Sequence, residues 1–160
     1  MSLSLPLRLA PCRCRVANLY DPDGQRVKKV AGSTSTYYIS PLYEVSGSTV
    51  IKYYYFAGQR IAMKRGSTLT YLHSDNLGST VLETNSAGNQ TAAMKYYAYG
   101  NTRNGAVVTE HKYTGQEYDS TGLYYYNSRY YDPRGPLGRG DHGAAVALVA
   151  PSRPEGTRSG

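Results

Sequence analysis

Apolar and aromatic positions in this chain alternate with polar ones over short runs, and the runs are broken at close intervals by turn residues. Period-2 alternation marks half-buried β-strands. It predicts strands at 35–39, 42–45, 49–56, 60–64, 69–73, 79–84, 91–99, 107–113 and 123–127. The connections are short and built from turn formers: Ser46-Gly47-Ser48, Ala57-Gly58, Gly66-Ser67, Asp75-Asn76-Leu77-Gly78 and Ser86-Ala87-Gly88-Asn89. Tyr20-Asp-Pro-Asp-Gly24 is a further turn, because Pro22 presets φ while Asp21 and Asp23 can bond nearby N–H groups. Strand–turn–strand units of about ten residues read as a meander of antiparallel hairpins. The expected fold is all-β, consecutive hairpins forming a curved sheet.

A repeat underlies the meander. Tyr-x-x-x-Gly occurs at Tyr20/Gly24, Tyr43/Gly47, Tyr54/Gly58, Tyr96/Gly100, Tyr118/Gly122 and Tyr131/Gly135. Random placement of this composition would give about two such pairs. YDPDGQRVKK from Tyr20 also overlays YYFAGQRIAMK from Tyr54. A Tyr closes one strand, a turn follows, and Gly opens the return. The uneven spacing between units fits hairpins of varying length better than a solenoid of fixed rise.

Composition sharpens the division of the chain. There are 18 Tyr against one Phe and no Trp, and every Tyr falls between Tyr20 and Tyr131, so the ends are foreign to the middle. Neither residues 1–17 nor 135–160 offer a periodic apolar face able to offset the entropy of ordering, and both ends are expected to be disordered. Three segments result: a leader at 1–17, a core at 18–134 and a low-complexity tail at 135–160. The net charge of +7 divides as +3 over residues 18–134 and +4 over the two ends, so the core is close to balanced. Lys28-Lys29 and Lys64-Arg65 are the adjacent basic pairs of the core, too little clustering for a nucleic-acid partner. Cys12 and Cys14 are spaced for neither a mutual disulfide nor a zinc site. The run from Met1 to Cys12 lacks the basic start and small cleavage-site residue of a secretory leader, and the apolar run at 144–150 is too short to span a bilayer.

The stretch YTGQEYDSTGLYYYNSRYYDPR, Tyr113 to Arg134, closely resembles the hallmark of the RHS (rearrangement hotspot) core, which ends the tyrosine-aspartate (YD) repeat array. YLHSDNLGSTVLETNSAGN from Tyr71 and MKYYAYGNTR from Met94 resemble the preceding blocks in the same order, and with the YD-like unit at Tyr20 the likeness covers about residues 18–134. It implies a segment of a secreted or surface protein whose YD repeats wind into a hollow β-shell around a toxin or effector. The partners implied are the rest of such a shell or its cargo; separately, strand edges left unpaired in the isolated chain are expected to make it self-associate. Members of the family cleave themselves through paired acidic residues in Asp-Pro contexts, but this chain has no Asp-Pro after Asp132-Pro133. The Gly-, Ala-, Pro- and Arg-rich tail reads like out-of-frame DNA. Shifted by one base, Gly140 to Ala147 can read Ala-Thr-Thr-Val-Leu-Pro-Ser-Pro, and a frame-shifted, truncated and non-catalytic remnant is expected.

No catalytic, cofactor-binding or metal-ligating residue is assigned. His73-Ser74-Asp75 lacks a third ligand, and a capped turn is the simpler reading. Asp119 and Asp132 would need to share a proton to act as an aspartyl pair. Asp132-Pro133 is expected to close a strand pair, with Arg129 paired to Glu117 or Asp132. His111 and His142 stand alone, and no phosphate loop or nucleophile elbow is present. Exposed tyrosines beside Asn, Gln and Asp leave one alternative, a carbohydrate-binding surface that takes cell-surface glycans.

Overall fold

The computed structural model describes residues 16–127 and 129–134. The chain runs as β1 (Val16–Tyr20), β2 (Arg26–Ala31), β3 (Thr34–Ser40), β4 (Tyr43–Ser46), β5 (Thr49–Phe56), β6 (Gln59–Arg65), β7 (Thr68–Ser74), β8 (Thr80–Thr84), β9 (Gln90–Tyr96) and β10 (Thr102–Ala106). These ten form one antiparallel sheet whose spatial order is the chain order. A short 3-10 turn, Tyr113–Gly115, leads into a second sheet of β11 (Glu117–Tyr118), β12 (Tyr124–Tyr126) and β13 (Arg129–Tyr131). The expected meander of hairpins is what forms.

One hairpin loop recurs six times among the described residues. It starts at Asp21, Asp75, Asn85, Tyr97, Lys112 and Asp119. In each, the first N–H donates to the carbonyl of the fifth residue, and the fourth residue, a glycine, donates back to the first carbonyl. In the first loop these bonds are 2.9 Å (Asp21 to Gln25) and 3.0 Å (Gly24 to Asp21). The fourth residue has positive φ, +79° at Gly24, a conformation costly for a residue with a Cβ. Four of the six loops begin with Asp or Asn, and at Asp21, Asp75 and Asn85 the side-chain oxygen also accepts backbone N–H groups of its own loop. Tyr20/Gly24, Tyr96/Gly100 and Tyr118/Gly122 are this loop preceded by its tyrosine. Tyr43/Gly47 and Tyr54/Gly58 instead lead into two-residue loops, so the sequence repeat merges two kinds of turn.

The strands expected between 35 and 99 are present with shifted ends. The one at 107–113 is not. The Glu83 carboxylate, fully buried, accepts the backbone N–H groups of Val108 and Thr109 at 3.0 and 2.9 Å, and a side chain thus replaces the ladder partner there. The last strand of the sheet is β10 instead, whose sequence TRNGA carries no apolar alternation. It pairs closely with β9 through Gly105, where a Cβ would sit 2.1 Å from the Ala93 carbonyl oxygen. Strands β1 and β2 flank the Asp-Pro-Asp-Gly turn, and β1 takes in Val16 and Ala17, which the sequence reading had placed in the leader. The rest of that leader and the whole tail lie outside the described residues.

The sheet has two unlike faces. On one, Ile51, Tyr53, Met63 and Leu72 form the buried apolar cluster, and Glu44 and Glu83 lie beside it in register. This inner face is where the segment 107–134 packs, and we refer to that segment as the strap. The sheet must curl to receive it. Laid flat, the β1–β2 and β9–β10 hairpins would stand about 38 Å apart at ~4.8 Å per strand. Yet Tyr125 bonds the first of these hairpins and the adjacent Tyr124 bonds the second. Their Cα atoms are only about 3.8 Å apart.

The β5–β6 turn is strained. Ala57, first residue of the two-residue loop Ala57-Gly58, has φ +48°, where a Cβ crowds the following carbonyl. Replacing Ala57 with Asn or Gly is expected to raise stability by about 1 kcal/mol, read as a higher denaturant midpoint at unchanged m-value.

Candidate functional site

The strap is held to the sheet by a buried ion cluster. Arg26 on β2 points to the inner face with its side chain 1% exposed, and its guanidinium meets Asp119 Oδ2 at 2.7 Å and the Glu117 carboxylate. Lys29 Nζ, on the same strand, lies 2.6 Å from Glu117 Oε1 and 3.0 Å from Asp119 Oδ1. Tyr38 on β3 donates its hydroxyl to Glu117. The Arg26 guanidinium also sits over the Tyr125 ring at 4.2 Å and the Tyr38 ring at 4.9 Å. Two cations and two carboxylates cancel in charge. That balance is what makes their burial tolerable.

Tyrosine hydroxyls bind the strap on both flanks of this cluster. On the β1–β2 side, Tyr125 accepts from the Arg26 N–H at 3.1 Å and donates to the Gly24 carbonyl at 3.3 Å. Tyr130 shares hydrogen bonds of 2.7 Å with Tyr20 and Asn18 of β1. On the β9–β10 side, Tyr113, Tyr131 and Tyr124 donate to the carbonyls of Ala98, Tyr99 and Gly100. Tyr113, Tyr124, Tyr125 and Tyr131 thus pack their rings against the sheet and spend their tips on backbone carbonyls, while Tyr130 spends its own on side chains of β1. Between the flanks, the His111 ring lies edge-on to Tyr53 at 4.9 Å, with Nδ1 3.2 Å from the Gly115 carbonyl and Nε2 3.7 Å from Glu44.

The cluster sets its own protonation. Burial works against the charged form of Glu117, but Lys29 and Arg26 more than reverse this and hold its pKa at about 2. Burial likewise pulls Lys29 down, and Glu117 and Asp119 overcome it, so the net shift of the ammonium is upward. Tyr38 is pushed far above the ordinary phenol range by burial and by Glu117. At neutral pH these shifts keep Glu117 and Lys29 charged and the Tyr38 hydroxyl neutral.

The residues weighed from sequence are placed as follows. Asp75 Oδ1 accepts the N–H groups of Leu77 and Ser79 at 2.9 and 2.8 Å, which is a capped turn, and His73 Nε2 lies 3.0 Å from the Thr84 hydroxyl. Asp119 and Asp132 are held in separate ion pairs, the second with Arg134 in a two-pronged contact of 2.8 Å on each oxygen. The expected pairing of Arg129 with Glu117 or Asp132 is corrected: Arg26 and Lys29 hold Glu117, Arg134 holds Asp132, and Arg129 is exposed. Sequence reasoning missed Arg26, Lys29 and Tyr38 as partners of the strap. They lie about 80 to 90 residues from Glu117 and Asp119, and no local pattern spans that separation.

No family model matches the chain. It is 31% identical over 130 residues to the tRNA3(Ser)-specific nuclease WapA of Bacillus spizizenii, covering 72% of this chain and 6% of that protein. It is 38% identical over 72 residues to toxin subunit YenC1 of Yersinia entomophaga, covering 41% of this chain and 7% of the relative. Its backbone superposes on the Photorhabdus luminescens Tc holotoxin pore with a TM-score of 0.65 at 25% identity, over 79% of this chain and 8% of that one. The chain thus spans less than a tenth of each of these proteins.

Two outcomes follow for the ion cluster. Glu117→Gln leaves Arg26 and Lys29 short of a buried counter-charge, and is expected to cost about 3–5 kcal/mol in chemical denaturation. Because the Glu117 pKa is lower in the folded chain than its ordinary 4.5, its stabilisation is complete above that value and is lost as pH falls toward about 2. Acid titration of wild type should show stability falling through that window, and the Gln variant should show a shallower fall.

Proposed function

We propose, for a chain that belongs to the RHS/YD-repeat family, a structural role: a wall segment of a toxin- or effector-enclosing shell, closed on its inner face by its own strap and without catalysis of its own. The observation that carries this is the strap itself. A tyrosine-rich segment ties the first and last hairpins of a ten-stranded sheet together, and it does so with paired charges and satisfied hydroxyls rather than with a reactive group. The names of the relatives support the setting, two being a toxin subunit and a holotoxin. Secretion or display at a cell surface belongs to the same proposal.

Strands β1 and β10 each pair on one side only among the described residues. In a longer protein we assign those free edges to neighbouring YD strands, and the partners of this segment are then the rest of the shell and its cargo. The division into 1–17, 18–134 and 135–160 is part of the reading, with the tail a frame-shifted remnant. The nucleotide sequence tests that last point directly: the alternative frame beyond codon 134 should continue as an RHS core.

Unpaired edges invite pairing with other chains. The isolated chain is expected to self-associate in sedimentation velocity, and Leu19→Lys on the exposed edge of β1 should shift it toward monomer. A sharp monomer boundary with cooperative unfolding counts against the wall reading. Mass spectrometry after prolonged incubation should return one intact mass, whereas a fragment cut beside Asp132 would restore an autoproteolytic role.

A further inference from the structure

The balanced charge of the core conceals a segregation by face. Only two carboxylates occur within β1–β10, Glu44 and Glu83, and both are buried on the inner face. The outer face carries lysines. Lys52 lies directly opposite Lys64 across β5 and β6, and opposite Tyr43 across β4 and β5. Lys28 and Lys95 alternate to the same side. Like charges placed directly across a strand pair disfavour the sheet, and no strand carboxylate relieves them here. The outer face is a cationic surface in want of counter-charge.

The two rims of the sheet differ as sharply. One is made of Gly32-Ser33, Gly47-Ser48, Gly66-Ser67 and the loop from Asn85 to Asn89, all small or polar. The other carries Ile39, Leu42, Phe56, Leu77, Tyr97 and Tyr99 at successive hairpin tips, every one exposed, Phe56 at 74%. The strap covers the inner side of this rim and leaves the tips outside. Asp21 and Asp75 on the same rim are engaged by backbone N–H groups of their own turns, and Asp23 sits on the β1–β2 loop, which bears no apolar tip.

We propose that this rim and the outer face together form a docking surface for an anionic lipid bilayer. Apolar and aromatic loop tips suit the boundary between headgroups and acyl chains, which peripheral segments enter by about 5–10 Å. Lysines held above that boundary meet anionic headgroups. The spacing agrees: at about 3.3 Å per residue, Lys52 stands ~13 Å up β5 from Phe56, and Lys95 ~7 Å up β9 from Tyr97. Long lysine side chains close the remainder by reaching down toward the lipid phosphates.

Flotation of the full chain with vesicles tests this. Recovery is expected with phosphatidylcholine vesicles containing phosphatidylserine and not with phosphatidylcholine alone, and it should fall as salt rises. Leu42→Ser with Phe56→Ser should cut recovery at least about tenfold. Lys52→Gln with Lys64→Gln should cut it about tenfold and flatten the salt dependence. Ser67→Asp on the opposite rim should change nothing. Thermal midpoints report whether each variant is folded, and the two pairs lie on separate exposed surfaces, so loss of one fold leaves the other as a test. Equal recovery with both vesicle types, or with neither, overturns the proposal. So does an assembly that Phe56→Ser dissociates without altering flotation, since the rim would then be a contact between copies of the chain.

Discussion

Arg26 meets Asp119 and Glu117 in a site closed to water, and the architecture rests on that contact. A ten-stranded meander has no intrinsic reason to curl onto its own C-terminal segment, because its ladder bonds are complete between sequential neighbours. Curling it exposes nothing favourable unless the inner face is filled. The apolar material available is small, four residues in the main cluster, so the remainder of the inner face is filled by charge and phenol. Such a filling is intolerant. Removing one carboxylate leaves two buried cations sharing a single counter-charge, whereas trimming an apolar contact leaves a hole that neighbours can partly close. The fold is therefore specific in which strap it accepts.

Much of the sheet could be read from local chemistry. Hairpins are local objects, and the Asp/Asn-to-Gly loops announce themselves through residue types that favour those backbone angles. Where local chemistry is silent the reading failed. Strand β10, TRNGA, has no alternation and exists because Gly105 lets β9 approach. The segment 107–112 has the right residues for a strand, and is diverted by Glu83, some 25 residues earlier. The strap's hold on the sheet was invisible for the same reason: Arg26 and Lys29 look like ordinary members of a basic strand until Glu117 and Asp119 are brought beside them by the curl. The total charge of the core likewise gave no hint that its two faces differ.

The tyrosines show why a single residue type can dominate such a chain. Packed on the sheet, they supply the ring area that Leu or Phe would, and the hydroxyls of Tyr113, Tyr124, Tyr125 and Tyr131 also satisfy carbonyls at hairpin ends. The rings of Tyr118 and Tyr124, 4.7 Å apart, and of Tyr125 and Tyr130, 5.5 Å apart, pack on opposite sides of the small sheet while their oxygens reach in different directions. Phenylalanine would keep the packing and orphan the backbone acceptors. Leucine would lose both.

The order of the chain also orders its assembly. Every strand pairing within the ten-stranded sheet joins neighbours in sequence, so hairpins can form one after another as the polypeptide emerges, each with little loop entropy to overcome. The strap comes last and makes the distant contacts, up to 112 residues away between Asn18 and Tyr130. Until it arrives, Arg26 and Lys29 remain hydrated and the inner face stays open. Closure is thus a late, non-local step taken by a sheet already built, and anything to be enclosed by a wall of this kind has until that moment to be in place.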